Sequence, residues 1–159
     1  MTNSNKKSIA PFFDHAGLVH ITEKEFDVVI DLKYAQTDNF TGQVIYLHDQ
    51  CFLHPIAAKA LQKAVIVAKN LGYKIKVFDA FRPQSAQERL WQVCPNPDYV
   101  ADPKIGSNHT RGVAIDLTLL EMTTGAELDM GTGFDTMDVR SHHFYLGLGQ
   151  EIMQINRMR

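Results

Sequence analysis

The run Ser107-Asn108-His109-Thr110-Arg111-Gly112-Val113-Ala114-Ile115-Asp116 sets an imidazole and a carboxylate seven positions apart across a glycine. A histidine nitrogen with an aspartate oxygen suits zinc, whose catalytic sites combine protein ligands with a position left open for water. The segment Val113 to Leu120 reads as a buried strand in which Ala114 and Asp116 share one face and Val113, Ile115 and Leu117 take the other. A carboxylate there is costly to bury unless a cation or hydrogen bonds hold it. Because seven is odd, alternation alone does not bring His109 to the Asp116 face, so Gly112 must mark a bend or bulge that returns the ring. Spacing leaves a second account open, an aspartate satisfied by backbone N–H groups beside an exposed histidine.

The elements that would position this pair follow from periodicity. Phe26 to Tyr34 alternates, with Val28, Ile30, Leu32 and Tyr34 on one face, as a half-buried strand does. Thr37 to Gly42 is turn chemistry. Pro55 opens a helix to about Asn70, with Ala57, Ala60, Leu61, Ala64, Val65 and Ala68 at helical spacing and Leu71-Gly72 closing it. A strand over Lys74 to Phe81 ends at Arg82-Pro83, and Pro83 serves as first residue of a helix through Val93. Arg82 is thereby fixed at a strand-to-helix corner, where an ordinary surface pair with Asp79 is the simplest role. Residues 94–106 form a long loop that delivers the chain into Ser107, Thr123-Thr124-Gly125 is a hairpin turn, and a helix runs from Gly149 to Arg159. The fold class is α+β, one domain over residues 26–159 with a central, mainly antiparallel sheet flanked by helices, preceded by an N-terminal arm over 1–25.

Composition removes other classes. A net charge of −2, with basic residues scattered along 159 positions, gives no footprint for nucleic acid or an anionic membrane, so the partner is a small molecule or peptide. Cys51 and Cys94 fit neither a disulfide framework nor a zinc ribbon. The N-terminus has no apolar stretch of signal length, which places the protein in the cytoplasm if Met1 is the start, or in the periplasm if a signal has been removed. His142 and His143 are adjacent and point apart in any regular structure, and His15, His20, His48 and His54 read as solvated or capping residues.

Ser-x-His-x-x-Gly-x-Ala-x-Asp at 107–116 resembles the motif of the zinc D-Ala-D-Ala metallopeptidases, a group that includes lysostaphin-type enzymes and the hedgehog domain. Asp31 to Ala35 with Asn39 to Gly42, Asp79-Ala80-Phe81-Arg82-Pro83, Ile115 to Leu119, and Met130-Gly131 through Phe134-Asp135 to Arg140-Ser141-His142-His143 resemble the D-alanyl-D-alanine dipeptidases of vancomycin resistance and their housekeeping relatives. The resemblance implies a zinc cofactor, one ion, held by His109 and Asp116. It implies that Arg82 assists the transition state, which is sensible for a fixed guanidinium near a developing oxyanion. It implies that Ser107 and Asp135 hold the ammonium of a small dipeptide; by residue type alone they are loop and turn residues. The function implied is hydrolysis of D-Ala-D-Ala in cell-wall dipeptide metabolism.

That family completes its site with Glu-x-x-His, the histidine as third zinc ligand and the glutamate as general base, and the element does not occur in these 159 residues. The chain therefore reads as C-terminally truncated, with weaker metal binding and an unpaired sheet edge that invites self-association. An inactive fragment or pseudoenzyme, or a non-catalytic cell-wall peptide-binding module, are the alternatives.

Overall fold

His54 and Pro55 set the most regular element of the protein. The His54 ring accepts from the Ile56 N–H, Pro55 follows at the first helical position, and helix α2 spans Pro55–Asn70, as the sequence predicts. It lays Ala58, Leu61 and Ala68 on the sheet. The computed structural model describes residues 17–142, 144, 145, 147 and 151–158; His15, His143 and the start of the expected C-terminal helix lie outside them.

The other elements are β1 (Val19–Ile21), α1 (Glu23–Phe26), β2 (Val29–Ile30), β3 (Cys51–Leu53), β4 (Tyr73–Asp79), α3 (Gln84–Val93), β5 (Asp116–Glu121) and α4 (Glu151–Met158). Short 3-10 turns cover Lys33–Ala35 and Val139–Ser141. The fold is mixed α and β, but the sheet is not the single central antiparallel one expected. A two-stranded antiparallel sheet joins β1 to β3, and a separate three-stranded sheet runs β2-β4-β5. In the latter β4 and β5 are antiparallel, whereas β2 and β4 are parallel. The reason is connectivity: the chain leaves β2, crosses over through β3 and α2, and so re-enters beside β2 in the same direction.

Three boundaries differ from expectation. Residues 19–25, placed in the arm by the sequence, form β1 and, together with Phe26, α1, and Ile21 is wholly buried in the core. The alternation over Phe26–Tyr34 is real in burial, since Val28, Leu32 and Tyr34 are buried, but only Val29 and Ile30 make ladder pairs. Asp27 closes α1 in a left-handed conformation and the Lys33–Ala35 turn ends the extended run. The strand expected from Val113 begins instead at Asp116, because Val113 is spent closing a turn onto the Asn108 carbonyl, and Val113 and Leu117 are exposed.

Two apolar clusters hold the layers together. One lies between α2 and the sheet and contains Leu53, Leu61, Ile75, Val77 and Leu119; the other surrounds α3 and contains Tyr34, Tyr46, Ala86, Leu90 and Val100. Each fully buried aliphatic side chain here contributes about 1.5–3 kcal/mol. Cys51 and Cys94 are both free thiols, and burial pushes Cys51 up to about 12, which makes it unreactive. Among the described residues no helix is long and apolar enough to cross a membrane.

Asp31 ties β2 to the sheet, accepting from Gln36 at 2.7 Å and pairing with Lys76 at 2.8 Å and Lys33 at 3.2 Å. Burial pulls its pKa up, but the bonds from Lys76, Gln36 and Lys33 outweigh that and hold it at about 2. A carboxylate depressed in the folded state stabilises above its unfolded pKa, and that contribution fades as pH falls from about 4 toward 2. Asp31→Asn should therefore cost on the order of 1–2 kcal/mol at pH 7, allowing for solvent screening, and the difference should vanish near pH 2. Urea denaturation of both proteins across that range checks it; a gap that persists at the acid end would contradict it.

Candidate active site

The β4–β5 ladder determines where the chemistry sits. Its register shifts between Val77 and Asp79, a bulge that sets Asp79 directly opposite Asp116. Two carboxylates in facing positions repel. The residues that relieve them are Arg82 and His109, brought in from either side.

His109 sits in the turn after the 94–106 loop. Gly112, at φ 67°, bends the chain back, its N–H bonding to the His109 carbonyl at 2.9 Å and its carbonyl accepting from His54 N–H at 2.9 Å. A Cβ at this position would lie 3.0 Å from the His54 nitrogen, so glycine is required on both counts. This is the bend that the odd spacing demands. His109 Nδ1 lies 2.8 Å from the Ala80 carbonyl, which can only accept, so Nδ1 carries the proton and Nε2 presents its lone pair. Nε2 is 3.6 Å from Asp116 Oδ2. Burial lowers the His109 pKa, but the negative charges of Asp116 and Asp79 beside the ring more than offset this and raise it.

Asp79 and Arg82 form a buried pair, not the surface pair that is simplest from sequence. Arg82 Nε and Nη2 donate to Asp79 Oδ2 at 3.0 and 2.6 Å, Tyr46 OH donates to Oδ1, and Arg82 Nη1 donates to Gln87 Oε1 at 2.8 Å. The guanidinium also stacks 5.0 Å over the Tyr34 ring. Burial raises the Asp79 pKa; for Arg82 burial acts downward, but the Asp79 charge outweighs it and raises the value. We take the pair as ionised, because both Asp79 oxygens already accept hydrogen bonds and neither needs a proton.

Asp79, His109 and Asp116 offer three metal-ligating atoms within 4.8 Å of one another. With both Asp79 oxygens occupied, the donors left for a cation are His109 Nε2 and Asp116. Nitrogen and oxygen ligands, with the imidazole tautomer fixed by a backbone carbonyl, fit the donor chemistry of zinc. Asp79 acts behind them.

A cleft of about 930 Å³ gathers every residue singled out from the sequence: Arg82, Ser107, His109, Asp116 and Asp135 all line it. Ser107 is buried and its Oγ accepts from the His109 N–H at 3.1 Å, the local bond its residue type suggests. Asp135 holds a left-handed φ of 54° and accepts from the Tyr34 hydroxyl. Burial pushes the Asp135 carboxyl up to about 6, with the charges of Asp116 and Asp79 adding to the shift. His142 reaches the cleft rim beside Tyr99, His20 stacks on Phe52, and His54 caps α2. Tyr34, Tyr46 and Gln87 are site components that the sequence reading missed. Gln87 had a signal: it is a polar residue one turn from Leu90, on the apolar stripe of α3.

A profile of the D-Ala-D-Ala dipeptidase family, peptidase family M15, matches residues 14–158. The chain belongs to this family. Within it, the D-alanyl-D-alanine dipeptidase of Escherichia coli (strain K12) is 51% identical over 119 residues, which cover 75% of this chain and 61% of that protein. The D-alanyl-D-alanine dipeptidase of Enterococcus faecalis (strain ATCC 700802 / V583) is 34% identical over 164 residues, 89% of this chain and 80% of that protein. The one from Streptomyces coelicolor is 35% identical over 133 residues, 71% and 66% of the two chains. The chain thus spans about three fifths of the E. coli relative and four fifths of the E. faecalis one.

Proposed function

We propose that the cleft is the substrate site of a zinc-dependent D-alanyl-D-alanine dipeptidase, with His109 Nε2 and Asp116 holding the metal. The observation that carries this reading is the tautomer of His109, pinned at Nδ1 by Ala80 so that Nε2 is offered beside Asp116 in a cleft that also contains Arg82 and Asp135. Zinc bound there would polarise a peptide carbonyl and acidify water. The motif at 107–116 also supports placing the domain with the hedgehog-like metallopeptidases.

The protein's own groups divide the remaining work. Arg82 spends its Nε–H and one N–H of each terminal nitrogen on Asp79 and Gln87, which leaves one N–H on each terminal nitrogen for a substrate oxygen. A guanidinium held this way stabilises negative charge developing on the attacked carbonyl without first having to reorganise. Asp135 uses Oδ2 for Tyr34, so Oδ1 is open to the substrate ammonium, and the Ser107 oxygen supplies a second acceptor.

This pairing sets a pH dependence. An Asp135 carboxyl near 6 is ionised above that value and loses its charge below it. KM for the dipeptide should rise by about tenfold per pH unit below roughly pH 6, and Asp135→Asn should remove that slope while raising KM at pH 8. Initial-rate measurements between pH 5 and 8 read it directly. An unchanged slope in Asp135→Asn would place the titration elsewhere.

The function itself is tested by loading the purified protein with zinc and following D-alanine release from D-Ala-D-Ala, with L-Ala-L-Ala and a D-Ala tripeptide as comparisons. The expected result is release from the D,D-dipeptide that stops when a chelator removes the metal. No release from any of the three, or dipeptide binding indifferent to the metal, would defeat the reading.

A further inference from the structure

Gln87 is wholly buried on α3, in the stripe otherwise made of Ala86 and Leu90. A carboxamide in such a place costs stability unless both of its ends are bonded. Both are. Oε1 accepts from Arg82 Nη1 at 2.8 Å, and Nε2 donates to the Ala101 carbonyl at 2.6 Å. Ala101 belongs to the 94–106 loop, whose Asp98, Tyr99 and Val100 wall the cleft together with it.

Arg82 is held along one edge by Asp79, through Nε and Nη2, and on its face by Tyr34. Those contacts leave the Nη1 end without a fixed partner but for Gln87. The requirement is for an amide specifically. Glutamate would present acceptors only, turning a lone pair toward the Ala101 carbonyl and placing a second carboxylate on Arg82. Methionine would match the volume and bond to neither.

We propose that Gln87 is a positioning residue, whose amide locks the Nη1 end of Arg82 and ties that guanidinium to the loop forming the cleft wall. This inference rests on the dipeptidase reading for its kinetic consequence, though not for its structural one. Gln87 touches no substrate; it acts by keeping the free N–H groups of Arg82 where charge develops.

Two measurements on the full chain test it. In the zinc-loaded protein, Gln87→Met and Gln87→Glu should each lower kcat by roughly tenfold or more with little change in KM, the pattern of an interaction made in the transition state. Arg82→Met should cost about 10²–10³-fold, and adding Gln87→Met to it should cost almost nothing further, because the two residues act as a unit. Losses that simply multiply would mean a general structural role and overturn the proposal. The second measurement needs no turnover. Nitrogen-15 NMR of arginine side chains, with Arg82 assigned through Arg82→Met, should show resolved Nη1 and Nη2 protons in the parent protein and their exchange broadening in Gln87→Met. Unaltered Arg82 signals in both Gln87 variants would also overturn it. If the parent released no D-alanine, the dipeptidase reading would fall, and the NMR comparison would still decide whether Gln87 holds Arg82.

Discussion

In the dipeptidase proposed above, His109→Ala should remove the zinc binding that the His109–Asp116 pair provides and, with it, dipeptide turnover. The ring supplies the nitrogen donor of the candidate pair, and its tautomer is already set for that use by the 2.8 Å contact from Nδ1 to the Ala80 carbonyl. Removing a mere supporting partner of a metal ligand commonly costs 10–100-fold in affinity, so loss of the ligand itself should exceed about 100-fold. A confounding effect on stability is foreseeable, because Ala80 is almost wholly buried and its carbonyl would lose a donor, at about 1–3 kcal/mol. Asp116→Ala separates the two effects. The Asp116 side chain is 38% exposed, so its removal should leave stability nearly unchanged while depleting zinc to a similar degree. Competition against a chromophoric chelator, with thermal melts of the same samples, distinguishes the outcomes. Zinc held as tightly by His109→Ala as by the parent protein would rule out this ligand assignment.

The largest stability effect should come from Asp79→Ala. Asp79 has no exposed surface, and it accepts from Arg82 twice and from Tyr46 once. Its loss leaves a buried guanidinium with only the partly exposed Asp116, 4.0 Å away, as counter-charge, and a buried phenol without an acceptor. Breaking a buried pair in this way costs about 3–5 kcal/mol, a large part of the 5–15 kcal/mol that typically separates folded from unfolded domains. Removing both charges should be milder, so Asp79→Leu combined with Arg82→Met is expected to recover much of the stability and none of the activity. Denaturant titration of the three proteins measures this. A cost under about 1 kcal/mol for Asp79→Ala would show that the charge is solvated in a way the buried geometry does not suggest.

How far the sequence was legible depended on whether a feature had enough residues to show a period. Helix α2 did, with sixteen residues, a proline at its start and apolar positions recurring along one stripe. Strands β1 and β3 did not, being three residues each, and their pairing depends on contacts between segments some thirty positions apart. The parallel pairing of β2 was hidden for the same reason. At the site, the His109–Asp116 pair and its bend at Gly112 were legible because an odd spacing needs a break in alternation. What spacing could not show was depth. Arg82 and Asp79 are a pair either on the surface or inside, and only the packing of Tyr34, Tyr46 and Gln87 around them makes it the inside. The bulge opposite Asp116 was likewise invisible, since it is a property of two strands and not of either one.

The chain segments that carry Arg82 and His109 are fastened to each other twice, once by the Arg82 N–H to the His109 carbonyl at 3.0 Å and once by the His109 ring to the Ala80 carbonyl. The two bonds run in opposite directions between the same short stretches, like a buckle. Relative drift of the imidazole and the guanidinium is therefore limited by one local closure and not by the sum of motions through the sheet and α3. Breathing at the rim near His142 should change who enters the cleft and how quickly, and leave the distance between its two principal groups almost untouched.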